Sequence, residues 1–171
     1  MHRIRNRVIV VLNRAGLPTG PIYLLTVAGR RTGVARTTPV APIVVDGIRY
    51  LVQAYPGADW VKNARAAGRG LLRRGRHTEA VHLTEVPPEQ RGALLRHFPA
   101  QNPRGVGAFV RNGLVASPAP DDFAAAADRC PMFRAEPNRA AEVSRVRGDG
   151  HPAVHHRGSA SAEGWRPRRF R

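Results

Sequence analysis

Three arginines in a short stretch bracketed by glycines have the clearest chemical potential in this sequence. Arg30, Arg31 and Arg36 lie within seven residues of one another, and Gly29 and Gly33 flank the first two. Guanidinium groups are planar, permanently charged and suited to two-point hydrogen bonding of phosphate or carboxylate. The stretch 29–36, here called the arginine turn, therefore predicts a turn that binds an anion. A solvated basic turn without a ligand fits the same spacing.

The residues on both sides of the arginine turn have the composition of β-strands. An apolar, β-branched run over 22–28 predicts a first strand, and 36–45 predicts a second. Pro39 and Pro42 cannot donate hydrogen bonds to a sheet, so the second strand is expected to be bulged or to lie at an edge. The arginine turn is thus predicted to be the tip of a hairpin.

The remaining pattern predicts an α+β, mainly β chain of five to six mostly antiparallel strands with short inserted helices. Asp46-Gly47 signals a two-residue hairpin turn, and Asp59 is expected to cap a helix that ends before Gly68. Further strands are predicted over 49–55, 71–74, 78–84 and 132–135. Helices are predicted over 3–15, 60–67, 87–98, 103–114 and 123–129.

Composition divides the chain into three segments. Residues 1–19 are expected to form a basic amphipathic helix that rests on the domain or on an anionic membrane surface. Residues 20–136 form the folded domain. Residues 137–171 are rich in Arg, Gly, His, Pro, Ala and Ser and are predicted to be a disordered tail. The net charge of +16 favours anionic partners, which include phosphorylated cofactors, anionic lipid and nucleic acid.

Several enzyme classes are disfavoured because their motifs are missing. The sequence has no GxSxG, HExxH or GxxxxGK[ST] motif, and no GxGxxG that follows a strand. The single cysteine, Cys130, reads as a small buried hydrophobe, is compatible with a reducing cytoplasm, and leaves no cluster for a metal. A chain with so few catalytic side chains is expected to obtain its chemistry from a cofactor.

Two motifs together resemble the deazaflavin-dependent nitroreductase family. They are LLTVAGRRTGVARTTPVAPI and, after a short gap, GIRYLVQAYPGADWVKNARAAG, and the resemblance extends over about residues 20–136. It implies a split β-barrel that uses coenzyme F420. The chain lacks the family's tyrosine-rich segment near the C-terminus and has Phe109 and Phe123 instead, which leaves the substrate open.

The resemblance also implies a set of site residues. The arginine turn would hold the phosphate and polyglutamate side of the coenzyme, and Tyr55 is the candidate proton donor, although a pocket wall without proton transfer fits it as well. Trp60 would begin the helix that closes the pocket, with a core anchor as the alternative. The implied cofactor-binding residues are Arg30, Arg31, Thr32, Gly33 and Arg36 in the turn, Pro39, Ala54 and Tyr55 beside the ring, and Trp60, Lys62 and Asn63 on the helix. Lys62 and Asn63 would lie near the coenzyme tail or support the loop.

The sequence thus predicts an F420-dependent oxidoreductase that transfers a hydride between the deazaflavin and a small unsaturated, quinone-like or nitro substrate. An FMN-binding split-barrel protein and a deazaflavin-binding module without turnover remain alternatives. A nucleic-acid-binding protein is the alternative of another class, but aromatic residues are few and no specific nucleic acid is expected. We expect a cytoplasmic chain with peripheral membrane contact through residues 1–19, and a homodimer is compatible with the sequence.

Overall fold

The structure is a computed structural model that describes residues 22–138. The strands are β1 Tyr23–Ala28, β2 Ala35–Val40, β3 Pro42–Val45, β4 Ile48–Val52, β5 Arg69–Arg74, β6 His77–Glu85 and β7 Met132–Pro137. The helices are α1 Asp59–Ala67, α2 Pro88–Leu95, α3 Phe98–Gln101, α4 Pro103–Arg111 and α5 Pro120–Ala124. All strand pairs are antiparallel, in the order β2-β1-β5-β6-β7-β4-β3.

The sheet curls into a half-barrel because its two edge strands are neighbours along the chain. β2 and β3 lie at opposite edges, yet only Ala41 separates them. Pro39 lies in β2 and Pro42 in β3. Each proline is therefore in an edge strand, where a missing backbone donor is tolerated. The expected edge position is confirmed, whereas the single strand predicted over 36–45 is in fact two.

The two faces of the sheet pack against different helices. Leu51 and Phe133 are paired across β4 and β7 and belong to a core that includes Trp60 and Ala64 of α1. The next pair along these strands, Val52 and Met132, faces the opposite way and joins a second core under α2–α5. Three phenylalanine rings pack against one another in this second core, at centroid separations of 4.6–5.4 Å: Phe98, Phe109 and Phe123. The sheet is thus covered on both faces.

The predicted strands and turns agree closely with the structure. Asp46 and Gly47 both have positive φ, 51° and 75°, as the favoured two-residue hairpin turn requires. In β6 the alternation is confirmed, because Val81 and Leu83 are buried while His82 is exposed. Seven strands form instead of five to six, because the second predicted strand splits.

Several predicted boundaries need correction, and the strand predicted over 49–55 ends at Val52. Asp59 does not cap α1, because Ala58 occupies the N-cap position and Asp59 lies in the first turn. The last helix is Pro120–Ala124 rather than 123–129, and it begins early because a proline at the first helical position needs no backbone donor. β7 continues to Pro137, and the Asn138 backbone N–H donates to the carbonyl of Ala80 at 2.8 Å, so the folded domain extends past residue 136.

Two of the predicted segments lie outside the described residues. They are the N-terminal helix, with its membrane contact, and the tail from residue 139 onward. Within residues 22–138, no helix is both long enough and apolar enough to cross a membrane.

Candidate functional site

The arginine turn is a closed loop that depends on its two glycines. The Gly29 backbone N–H donates to the Val34 carbonyl at 2.9 Å, and the Gly33 N–H donates to the Gly29 carbonyl at 2.8 Å. Gly33 has a φ of 69°, which side chains disfavour. A Cβ atom on Gly29 would lie only 3.0 Å from the Val34 oxygen. The backbone of the turn is therefore held in one compact shape.

Arg30 joins this turn to helix α1. Its backbone N–H and its Nη1 donate to Oδ1 of Asn63 at 3.2 and 3.0 Å, and Nη1 also donates to Oδ1 of Asp59 at 3.1 Å. Asn63 is 4% exposed. The carboxylate of Asp59 thus binds the guanidinium group of Arg30. Arg30 and Asn63, both predicted to bind the cofactor, act in this structure as the connection between turn and helix.

Of the three guanidinium groups in the arginine turn, those of Arg31 and Arg36 remain available to a ligand. Both residues are exposed, and neither forms an ion pair with any residue in the range 22–138. Thr32 is exposed as well, and its hydroxyl accepts a hydrogen bond from the Val34 N–H at 3.4 Å. Since guanidinium groups without a carboxylate partner favour anionic ligands, this end of the β1–β2 hairpin suits an anion.

A cleft of about 450 Å³, here called the α1 cleft, lies beside α1. Val61, Lys62 and Arg65 line it from the helix, and residues 56–58 line it from the loop before the helix. Its other walls come from Gln53, from the segment 112–114, and from Asp128, Arg129 and Pro131. Lys62 is the one residue of the predicted cofactor set that lines this cleft.

A second cleft of about 580 Å³ lies near the C-terminal end of α1. Small residues line most of it, among them Ala28, Ala66, Ala67 and Gly70. Gly33 is the residue of the predicted set that reaches this cleft. The two clefts therefore divide the set, and neither contains Arg31 or Arg36 in its lining.

The residues predicted to flank the deazaflavin ring lie on two segments of the chain, β2 and the stretch that follows β4. Pro39 is half-buried opposite Leu24. Ala54 and Tyr55 are half-buried and follow the end of β4, where the Ala54 carbonyl accepts a hydrogen bond from Asn112 Nδ2 at 2.7 Å. Ala54 and Tyr55 directly precede the loop that lines the α1 cleft.

Trp60 belongs to the core. It is 6% exposed, and its ring lies 5.6 Å from the ring of Phe133, centroid to centroid. This packing leaves little of the indole surface for a ligand. The alternative of a core anchor describes Trp60 better than a wall of the cofactor slot does.

Gln53 is a residue of the α1 cleft that the sequence analysis did not single out. It is 5% exposed and directly follows the apolar end of β4, where Leu51 and Val52 are buried. A glutamine after such a run is rarely buried without a polar partner. A glutamine at the buried end of an apolar strand was the signal available in the sequence, and it indicates a residue in the wall of a cleft.

Arg65, which lines the α1 cleft, belongs to a network of charged groups. Arg65 donates two hydrogen bonds to Glu85, at 2.6 and 2.7 Å, and the buried Arg91 donates a third at 3.1 Å. The hydrogen bonds from Arg65, together with the charges of both arginines, lower the pKa of Glu85 against the opposing effect of burial. Arg65 is therefore neutralised, and Lys62 and Arg129 supply the positive charge of the cleft.

Cys130 carries a buried thiol. Burial raises the pKa of the Cys130 thiol to about 11, so it stays protonated and unreactive near neutral pH, as expected of a buried hydrophobe. Among the residues that the structure describes, no three histidine, cysteine or acidic side chains are grouped to hold a metal ion.

Comparison with known proteins identifies the family. The model of the F420H(2)-dependent quinone reductase family matches residues 3–108, and the chain belongs to this family. It is an oxidoreductase with coenzyme F420 as its cofactor. The F420-dependent resemblance seen in the sequence is thereby confirmed.

Solved structures with related folds support the same architecture. One, described as a domain-swapped dimer, is 18% identical with a TM-score of 0.51, over 79% of this chain and 98% of that chain. Another, Atu2129 from Agrobacterium tumefaciens str. C58, of unknown function, is 15% identical with a TM-score of 0.50, over 76% of this chain and 54% of that one. At such identities the likeness establishes the split-barrel fold. No curated protein sequence matches the chain.

The exposed residues of the arginine turn fit the anionic part of the coenzyme. Phosphate and glutamate carboxylates need cationic donors, and Arg31 and Arg36 supply two guanidinium groups without a described carboxylate partner. The turn that holds them is fixed to α1 through Asn63. The donor set therefore agrees in charge with a phosphorylated, polycarboxylate ligand.

Proposed function

We propose that the chain reduces a small quinone-like or nitro acceptor by hydride transfer, with the anionic tail of coenzyme F420 bound at the arginine turn. The observation that carries this proposal is the contrast within the turn. Arg30 is bonded to Asn63 and Asp59, whereas Arg31 and Arg36 are exposed without a described ion pair. Two free guanidiniums on a fixed backbone suit a ligand with several negative charges.

In this proposal each group of residues has a separate task. Arg31 and Arg36 bind the phosphate and glutamate carboxylates, while Arg30 and Asn63 hold the turn against α1. Thr32 and Gly33 supply the polar, close-fitting backbone of the turn. Ala54 and Tyr55 lie where β4 ends and flank the ring together with Pro39, and Lys62 supplies positive charge on α1.

The reaction follows from the chemistry that the coenzyme supplies when bound, which is the donation of a hydride from a ring carbon. A quinone acceptor gains that hydride and one proton, and it leaves as the hydroquinone. The protein's part is to bind, to orient and to exclude water. Tyr55 is the candidate donor of the proton, since it is the one residue with an O–H group among those proposed to flank the ring.

The proposal is tested by titration and turnover of the purified full chain. We expect oxidised F420 to bind with a saturable fluorescence change and FMN to bind at least tenfold more weakly, since it has a single phosphate and no glutamate tail. Reduced F420 should then be oxidised by menadione, a small quinone, in an enzyme-dependent reaction. Equal affinity for both cofactors, or turnover no faster than without enzyme, would reject the proposal.

A homodimer is a second, separate proposal. A structural relative is described as a domain-swapped dimer. Light scattering on the full chain would give twice the mass of one chain if the proposal holds and a single chain mass if it fails.

A further inference from the structure

The chain changes its hydrogen-bond partner just after β4, where the sheet ends. β4 pairs with β7 as far as Val52, and the backbone N–H of Gln53 still donates to the Pro131 carbonyl at 3.0 Å. The carbonyl of the next residue, Ala54, accepts a hydrogen bond from the side chain of Asn112 instead, with Nδ2 2.7 Å from the oxygen. Beyond the end of the sheet, a side-chain amide on another element thus takes the place of the neighbouring strand.

The backbone that carries the Asn112 amide is itself held in place. Asn112 directly follows helix α4, and its N–H donates to the Ala108 carbonyl at 3.1 Å. Gly113 then has a φ of 67°, and the Leu114 N–H donates to the carbonyl of Phe109 at 2.9 Å, so a tight turn ends the helix. Phe109 is buried in the second core. The Asn112 side chain therefore starts from a fixed point of the fold.

The hydrogen bond between Asn112 and Ala54 connects two walls of the α1 cleft. Asn112 lines the cleft from the end of α4, and residues 56–58 line it from the loop before α1. Ala54 and Tyr55 lead into that loop, and the Ala58 N–H donates back to the Tyr55 carbonyl at 3.2 Å. The position of the Ala54 carbonyl therefore decides where the loop wall of the cleft begins.

A water molecule could replace the amide as the hydrogen-bond donor, because Ala54 and Asn112 are only half-buried. The fold itself therefore does not require an asparagine at position 112. A water molecule is not attached to α4, however, and it would leave the distance between the two walls free to vary. The specific contribution of the Asn112 amide is to fix that distance before a ligand enters.

We propose that Asn112 is a positioning residue for the coenzyme ring, and that it acts by holding Ala54 and Tyr55 where they flank that ring. This inference rests on the proposed function. Without the amide, binding of the ring would also have to order this segment, and the cost would appear as lower affinity. The arginine turn is held by other contacts, to Asn63 of α1, so the binding of the anionic tail should not change.

The test compares two ligands by fluorescence titration of the full chain: oxidised F420, and its deazaflavin core without phosphate and glutamates. Asn112→Ala removes the donor and should weaken both ligands by the same factor, about threefold to tenfold, which corresponds to one neutral hydrogen bond. Gln90→Ala, which removes an exposed amide on α2, is the matched control and should leave both affinities within about twofold.

Rescue by a conservative variant separates positioning from a general effect on the fold. Asn112→His places an imidazole N–H close to the position of the amide N–H, and it should bind both ligands within about twofold of wild type. If Asn112→Ala fails to fold, Asn112→Asp keeps the size, loses the donor and should weaken the core at least about threefold.

Three results would overturn the inference: unchanged affinity for the core in the variant without the donor, a loss confined to F420, or an equal loss in Asn112→His. Wild-type F420 titration and turnover decide the proposed function independently, because they involve no variant of Asn112.

Discussion

Two groups of arginines in this protein differ in their partners. Arg49, Arg65 and Arg91 are bonded to glutamates, and Arg91 is almost fully buried. Arg31 and Arg36 are exposed at the arginine turn and have no ion pair with any described residue. The first group therefore serves the fold, because its charge is already balanced, and the second is left for a ligand.

The comparison teaches that a count of positive charge does not locate an anion site. Removing a paired arginine leaves a carboxylate or carbonyl without its donor, and folding bears the cost. Removing an unpaired exposed arginine costs the fold little, so its effect should be confined to ligand binding. Variants of the two groups should therefore separate stability from affinity.

The largest effect on stability is expected for Arg91→Met. The Arg91 guanidinium donates to the Val86 carbonyl at 2.8 Å, to Glu85 at 3.1 Å and to the Ala127 carbonyl at 3.4 Å. Its loss leaves the Val86 and Ala127 carbonyls without this donor and Glu85 with Arg65 alone, so the free energy of unfolding should fall by about 3 kcal/mol. Denaturant unfolding measures this.

The control for Arg91→Met is Arg96→Met, which removes an exposed arginine paired with Asp121. It should cost less than about 1 kcal/mol, since exposed ion pairs contribute little. If both variants lost the same free energy of unfolding, the buried Arg91 would contribute no more to stability than the exposed Arg96, and this distinction would be wrong.

An intermediate, pH-dependent effect is expected for Glu79→Gln. Hydrogen bonds from Arg49, with its charge, hold the pKa of Glu79 below its ordinary value of 4.5. The unfolded chain thus takes up a proton at higher pH than the folded protein does. The Arg49–Glu79 pair should contribute about 1 kcal/mol to the free energy of unfolding above pH 4.5. This contribution should decline as the pH falls further, through the lower pKa that Glu79 has in the folded state.

Unfolding curves between pH 3 and 7 test this prediction. The stability difference between wild type and Glu79→Gln should be constant from pH 7 to about 5 and should shrink below 4.5. Glu89→Gln, an exposed change in α2, is the control and should show no such trend. A difference that grows on acidification would contradict the role of the Arg49–Glu79 pair.

The smallest effect on stability is expected for Arg31→Ala. The side chain is exposed and has no described carboxylate partner, so the free energy of unfolding without coenzyme should change by less than about 0.5 kcal/mol. Thermal unfolding measures this. A loss above about 1 kcal/mol would place Arg31 with the structural arginines.

Much of the fold could be predicted because local residue chemistry and tertiary structure agree there. Asp46-Gly47 adopts the turn that its residue types favour, and β6 buries the alternate positions that its pattern indicates. α1 ends at Gly68, whose left-handed backbone closes the helix. Each of these features is decided by a few neighbouring residues.

Other features depend on residues that are distant in sequence, and the sequence could not give them. Asp59 is a good N-cap by type, yet Arg30 binds its carboxylate from 29 positions away. The division of 36–45 at Ala41 arises because the sheet closes on itself. The spacing of the arginines in the sequence identified the arginine turn, but only the structure shows which partner each arginine binds.

The central claim, that Arg31 binds the anionic tail of the coenzyme, is tested most directly by a thermodynamic cycle. Fluorescence titration would compare F420 with its deazaflavin core lacking phosphate and glutamates, for wild type, Arg31→Ala and the control Arg76→Ala, an exposed arginine of the β5–β6 turn. We predict that Arg31→Ala weakens F420 about tenfold to a hundredfold, leaves the tail-less core within twofold, and that Arg76→Ala changes neither. Equal losses for both ligands, or equal F420 losses in Arg31→Ala and Arg76→Ala, would contradict the claim.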